Sequence, residues 1–245
     1  MNYLFDKINF AWYTANIERL LKERLLKFLI TISDMYDLEH TLAKDYLRDF
    51  RCPWEAVTGI RALIEALGPT LPEDYSEILP GVWVHATAEV AASASIQGPC
   101  ILGPGTQVRH CAFIRGSALV GAGCVVGNSV ELKNVILFDG VQVPHFNYVG
   151  DSILGYKAHM GAGAVTSNVK SDKTPVVIHG ETDFPTGLKK LGAMVGDFAE
   201  IGCNSVLNPG TIIGRAATVY PGSSVRGVVP AGHIFKAPGH IVPKR

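Results

Sequence analysis

Aliphatic residues recur every sixth position through most of the C-terminal two-thirds of the chain. Val84, Val90, Ile96, Leu102, Val108, Ile114, Val120, Val126 and Leu132 keep this spacing without a break, and Val195, Ile201, Leu207, Ile213, Val219 and Val225 resume it. Four positions after each of the first eight stands a small or compact residue, Ala88, Ala94, Cys100, Thr106, Ala112, Ala118, Cys124 and Val130, and the second series has Ala199, Ser205, Thr211, Ala217 and Ser223 at the matching offset. A period of six fits neither the 3.6-residue helix nor the two-residue alternation of a hairpin sheet. It fits a parallel β-helix, in which each six-residue unit supplies one short strand and one corner and three units close a triangular turn. The aliphatic residue then points inward and the compact residue fits the tapering corner. Gly103-Pro104-Gly105, Gly121-Ala122-Gly123 and Asn208-Pro209-Gly210 relieve the turns. Stacked turns share one continuous core, so only the ends need covering.

Glycine marks a boundary. Of 26 glycines only Gly59 and Gly68 fall in the first 80 residues. That part reads as helical, a cap or oligomerisation element that could cover one end of the coil. Residues 14–30 place Ile17, Leu20, Leu21, Leu25, Phe28 and Leu29 on one broad face. A second helix is expected over residues 37–50. A third follows Pro53, aligns Val57, Ile60, Ile64 and Leu67, and stops at Gly68-Pro69. The expected organisation is therefore a helical region over 1–80, a β-helix over 81–236 and a tail over 237–245.

Lys plus Arg and Asp plus Glu each number 22, which removes the basic excess of a phosphate-backbone binder and speaks against nucleic acid as a partner. Residues 81–245 alone carry thirteen basic and nine acidic side chains, a mildly positive body suited to a small anionic ligand. Five widely spaced cysteines (Cys52, Cys100, Cys111, Cys124, Cys203) form no framework, which suggests reduced thiols and a cytoplasmic setting. Asp6 and Lys7 interrupt the first apolar residues, so no secretory signal is read there. The uncharged run 90–108 has polar residues, two prolines and the six-residue spacing, and reads as coil rather than as a membrane span.

Chemistry is expected where the repeat fails. It fails twice, over residues 133–153 and again over 167–190, both read as loop insertions. The first break contains Val143-Pro144-His145-Phe146-Asn147-Tyr148-Val149-Gly150-Asp151, followed by Gly161-Ala162-Gly163 and later by Lys190-Leu191-Gly192-Ala193. Residues 82–235 resemble the hexapeptide-repeat acyltransferases of the left-handed parallel β-helix class. They are most similar to the acetyltransferase half of the bifunctional enzyme that makes UDP-N-acetylglucosamine, and to nucleotidyltransferase-type relatives sharing V-P-H-x-x-Y-V-G-D-S and K-L-G-A-x-x-G-D. The resemblance overrides the right-handed crossover preference for such connections. It implies His145 as catalytic base, Arg115 and Lys133 as sugar-phosphate ligands, and Tyr148 and Asn168 as substrate-positioning residues. It implies Ala162, Lys173 and Cys203 as contacts of the acetyl-CoA co-substrate, and a homotrimer with the cofactor between neighbouring prisms. Lys173 fits only after a one-residue shift, since Thr174 aligns with the family lysine, and Cys203 stands where the family has serine. No uridylyltransferase domain is expected, because the first 80 residues hold no Gly-rich nucleotide loop.

The residues suit such chemistry in their own right. Amine acylation needs a neutral amine, and an imidazole with a reference pKa of about 6.5 can take that proton near neutrality. Backbone N–H groups of the Gly161–Gly163 turn are candidate oxyanion donors. Arg can hold a phosphate with a two-pronged fork and Lys as a point charge. The expected activity is thus direct acyl transfer to an amino-sugar 1-phosphate or nucleotide sugar, with no covalent intermediate and no metal. One alternative is a non-catalytic trimeric scaffold. Another is a metal enzyme using His110, His145 and His159, which lack the close H-x4-H pair of that branch.

Overall fold

The computed structural model describes residues 30–180 and 182–245. From Val82 onward, short strands stack in parallel on three sides, about eight turns high. The first side carries, among others, Gln107–Val108, Val125–Asn128, Gln142–His145, His159–Met160 and Glu200–Ile201. The second carries Phe113–Ile114, the first residues of Glu131–Leu137 and of Tyr148–Leu154, then Val165–Thr166 and Val206–Leu207. The third carries Cys100–Leu102, Ala118–Val120, the last residues of the same two long strands, Ala193–Val195 and Thr211–Ile213. The mainly β, parallel β-helix class expected from the repeat is the class observed.

The six-residue positions fill the interior as expected: Leu102, Ile114, Val120, Val126, Leu132, Leu207, Ile213 and Val225 are fully buried. The first turn departs from this. Val84 and Ile96 are only half-buried and Val90 is 37% exposed, so the described residues leave this end of the core partly open.

The described helical residues run along the coil's side rather than closing its end. On the third side even the outward residues Ile101, Leu119, Ile136, Ile153 and Met194 are fully buried. Their cover is the helical segment. Tyr36 donates to the Ile153 carbonyl at 3.3 Å and its ring lies 5.0 Å from that of Phe138. Asn134 donates to the Val57 carbonyl at 3.2 Å. Farther along, the buried Asp197 accepts from the Asp37 and Tyr156 N–H groups at 2.7 and 2.8 Å and pairs with Arg215 at 3.2 Å. Asp197 closes the K-L-G-A-x-x-G-D motif, so that motif's acid fastens the wrap to the coil.

The helix expected over residues 14–30 lies largely outside the described residues. The one expected over 37–50 is broken into a 3-10 turn, Leu38–His40, and a short helix, Lys44–Arg48. Asp37 and Thr41 turn their side chains onto the N–H groups of Glu39 and Ala43, at 3.1 Å each, and so compete with a continuous helix. The third is observed as Pro53–Gly59 in 3-10 form and Ile60–Leu67 as α-helix, burying Val57, Ile60 and Ile64. The expected tail also contains structure, because His240–Pro243 pairs antiparallel with His233–Ala237.

The first break in the repeat is not an inserted loop. Residues 133–153 stay within the ladder, and Leu132 pairs with Val149 seventeen residues on, where Ile114 and Leu132 are eighteen apart. The missing residue falls at one corner, between the second and third sides, where Leu132 to Leu137 and Val149 to Leu154 are steps of five. Asn134 (φ 56°) and Asp151 (φ 49°) make those tight corners in the left-handed region. The second break is a true insertion at the same corner. It leaves at Asn168, returns where Leu191 N–H donates to the Asn168 carbonyl at 3.0 Å, and carries a hairpin of Val177–Ile178 and Phe184–Pro185.

Candidate active site

Two corners bound the second side of the coil, and the expected site residues divide between them. At the corner entering that side, the register stacks His110, Asn128, His145, Ala162 and Cys203 on successive turns, since His145 pairs with Asn128, Gln142 with His159, and His159 with Glu200. The hydrogen bonds follow the same column. Gly163 N–H donates to the His145 carbonyl at 3.0 Å, and Asn204 N–H to the Ala162 carbonyl at 2.8 Å. The residue after each column member turns left-handed: Cys111, Ser129, Phe146, Gly163, Asn204 and Gly222 have φ between 52° and 72°.

Asn147 locks this corner. Buried to 2% exposure, it donates to the Gly161 and Ala164 carbonyls at 2.8 and 2.9 Å and accepts from the His145 N–H at 3.1 Å. The His145 loop and the Gly161-Ala162-Gly163 turn are thereby held as one piece. The His145 ring is exposed and has no hydrogen-bond partner among the described residues. Of the turn's N–H groups, that of Gly161 is spent on the Ile201 carbonyl and that of Gly163 on His145. Only the Ala162 N–H is left without a partner among the described residues. Beyond it, main chain packs on main chain. A Cβ on Gly161 would come within 2.6 Å of the Cys203 nitrogen, and one on Gly163 would strike the Asn204 amide. The result is a ledge of small side chains, with Cys203 exposed upon it.

The other corner gathers the expected acceptor ligands around a buried carboxylate. Asp151, 3% exposed, accepts from Lys133 Nζ at 3.0 and 3.3 Å, from Asn134 Nδ2 at 2.9 Å and from Asn168 Nδ2 at 2.5 Å. Asn168 also reaches the Tyr148 hydroxyl at 3.2 Å. The Tyr148 ring lies over Gly150, where any Cβ would collide with its hydroxyl. Burial, then the charges of Asp151 and Glu131, push the Tyr148 phenol above its ordinary pKa, so it stays a neutral donor. Arg115 stacks one turn before Lys133 and pairs with Glu131 at 2.7 Å; that hydrogen bond raises the guanidinium pKa further. Arg115, Lys133, Tyr148 and Asn168 are therefore brought together, and His145 stands three residues from Tyr148, at most about 10 Å along extended chain.

Lys173 is not brought there. It lies exposed in the insertion, next to a turn in which Thr174 is bonded to Asp172 and Lys170. His110 and His159 point to other partners, Ser93 and Glu200, and no group of three His, Cys, Asp or Glu side chains among the described residues could hold a metal ion. Sequence reasoning missed Glu131, Asn134, Asn147 and Asp151. The two five-residue steps are the signal that could have found Asn134 and Asp151. Among the described residues no helix is long and apolar enough to cross a membrane.

Comparison with known proteins finds similar sequences over the coil. A family model described as the GMPPB C-terminal domain matches residues 96–182. The chain is 36% identical over 109 residues to a bifunctional sugar-1-phosphate nucleotidylyltransferase/acetyltransferase of Sulfurisphaera tokodaii, covering 44% of this chain and 27% of that protein. It is 30% identical over 234 residues to the bifunctional protein GlmU of Prochlorococcus marinus, covering 92% of this chain and 47% of the relative. A hexapeptide transferase family protein of Anaplasma phagocytophilum is 17% identical with a TM-score of 0.38, over 67% of this chain and 81% of that one. The chain spans about half or less of the length of these curated relatives. By its repeat, its coil and its relatives, it is a hexapeptide-repeat β-helix protein similar to the bifunctional GlmU-type proteins.

Proposed function

We propose that this chain transfers an acyl group, in the first instance acetyl, from CoA to the amino group of an amino-sugar 1-phosphate or nucleotide sugar. The observation that carries the reading is the single column of His145, Ala162 and Cys203, facing the Arg115–Lys133–Asn168 corner across one narrow side with Tyr148 between them. The small-residue ledge beyond Ala162 suits a long, thin pantetheine arm, and this fit supports CoA as co-substrate. Lys173 has no part in it.

In this reading the acceptor amine loses its proton to the unpartnered His145 imidazole as its nitrogen attacks the thioester carbon. The carbonyl oxygen faces the Ala162 N–H, which is rigid because its neighbours are bonded and needs no reorganisation to donate. The C–N bond forms, the C–S bond breaks, and the departing thiolate takes the proton back from the imidazolium. On the acceptor side the four charges of Arg115, Lys133, Glu131 and Asp151 sum to zero, so a phosphate gains little from net charge. It binds by exchange. The Glu131 side chain is 32% exposed and the Asp151 side chain alone only 4%, so the Arg115–Glu131 pair is the one that opens to admit it. The active assembly is a homotrimer with the ledge facing a neighbouring copy, as the resemblance implies.

The test is thiol release from acetyl-CoA with a panel of amino-sugar phosphates and nucleotide sugars, together with sedimentation to read the assembly. His145→Ala should lower kcat by about 10²–10⁴-fold while leaving the unfolding midpoint unchanged. Arg115→Ala should raise the acceptor KM and leave that of acetyl-CoA alone. Turnover that survives His145→Ala, or equal loss of both affinities in Arg115→Ala, removes the corresponding assignment.

A further inference from the structure

The column that carries His145 holds a second cluster two turns earlier, outside the machinery described above. The Cys111 sulfur lies 3.2 Å from His110 Nε2, and His110 Nδ1 lies 2.7 Å from the Ser93 hydroxyl oxygen. Ser93 also accepts from the Cys111 N–H at 3.3 Å and keeps a second lone pair that can accept from Nδ1–H. In that tautomer the Nε2 lone pair faces the thiol. The His110 backbone is held separately, because Asn128 Nδ2 donates to its carbonyl at 3.1 Å. Cys111 itself sits in the left-handed region at φ 56°, and its thiol is exposed. Nucleophile, base and orienting hydroxyl thus stand in the order that thiol chemistry requires.

Beside the cluster is an open hollow of about 410 Å³ lined by Glu89, Val90, Gln107, Arg109 and His110 among others. Arg109 donates two hydrogen bonds to Gln107, at 2.8 and 3.2 Å, and brings a positive charge to the lining.

We propose that Cys111 is a primed nucleophilic thiol and a modification site for small disulfides bearing carboxylates. His110 accepts the thiol proton as the Cys111 sulfur attacks one disulfide sulfur. The S–S bond of the reagent breaks, a mixed disulfide forms on Cys111, and the released thiolate takes the proton from His110. Cys203 provides the internal standard: it is the other exposed thiol, on the same column, and has no imidazole partner among the described residues. The proposal does not depend on the acyl-transfer reading and is tested without any turnover assay.

The full chain is treated with oxidised glutathione and, separately, with the uncharged hydroxyethyl disulfide, and mixed disulfides at Cys111 and Cys203 are timed by peptide mass spectrometry. Cys111 should react about tenfold faster than Cys203. His110→Ala should bring it down to the Cys203 rate, and Ser93→Ala should lower it part of the way. Arg109→Ala should abolish a preference for glutathione over the uncharged reagent. All three substituted positions are exposed, and circular dichroism checks that each variant keeps the fold. Equal rates at the two cysteines, or a Cys111 advantage that survives His110→Ala, overturns the assignment of the thiol. An absence of preference between the two disulfides overturns the ligand class.

Discussion

Replacing Asp151 by Asn tests whether the corner formed by Lys133, Asn134 and Asn168 is organised around one carboxylate. The two side chains are nearly isosteric, so the change removes a charge and one acceptor site without opening a cavity. Three donors now converge on Asp151: Lys133, Asn134 and Asn168. In the variant the new amide must turn an NH2 toward at least one of them. Hydrogen bonds to a charged group are each worth about 1.5–3 kcal/mol, and removing one member of a buried ion pair costs about 3–5 kcal/mol. Lys133 keeps 26% exposure and recovers some hydration, which lowers the expected loss to about 3 kcal/mol. For a chain of this length that corresponds to a fall in Tm of roughly 6–12 °C. Urea titration should show the same loss at constant m. The decisive measurement is the double variant with Lys133→Met, which removes the stranded ammonium. It should be more stable than the sum of the single changes predicts by about 1–3 kcal/mol. Strict additivity, or a loss below about 0.5 kcal/mol in Asp151→Asn, refutes the view that this carboxylate holds the corner.

Burial pushes the thiols of Cys52, Cys100 and Cys124 up to about 12, so a disulfide reagent at pH 8 should titrate two of the five cysteines in the native protein and all five in denaturant. Burial likewise raises the Asp139 carboxyl above its ordinary value of 3.8, against the Ala122 N–H bond that lowers it. The folded state then binds the proton more tightly than the unfolded state, and the Asp139 contribution is full below pH 3.8 and fades as pH rises through the folded pKa. Urea stabilities measured from pH 3.5 to 6.5 should therefore show wild type losing ground to Asp139→Asn as pH rises, and a gap that widens in the opposite sense contradicts the shift. Gly127→Ala would drive its Cβ into the Pro144 carbonyl directly beneath the His145 loop and should cost at least about 3 kcal/mol, read as a lowered Tm.

The coil was legible because its core obeys one rule at every turn, and residues such as Leu102, Val126 and Ile213 lie where that rule puts them. The wrap along the third side was not, although a signal existed. At Ile101, Leu119, Ile136 and Ile153, 17 or 18 residues apart, and again at Met194 after the insertion, a second apolar side chain stands between the two inward ones. An exposed side would carry polar residues there, as Gln107 and Glu200 do on the first side. The helix expected over residues 37–50 failed because its apolar spacing said nothing of Asp37 and Thr41 competing for the backbone. At the site, His145, Arg115, Lys133, Tyr148 and Asn168 could be named from their order in the chain. Their carboxylate partners could not, because the contact between Lys133 and Asp151 depends on a corner one residue shorter than the repeat implies.

Each turn of the coil contributes its own functional groups: Arg115 from one, Lys133 from the next, His145, Tyr148 and Asp151 from a third, Ala162 and Asn168 from a fourth, Cys203 from a fifth. The vertical interval between them is the spacing of hydrogen-bonded strands, about 4.8 Å, whatever the side chains happen to be. An exchange at one level leaves its neighbours standing where they were, so under the proposed function acceptor preference can drift one storey at a time while His145 keeps its address.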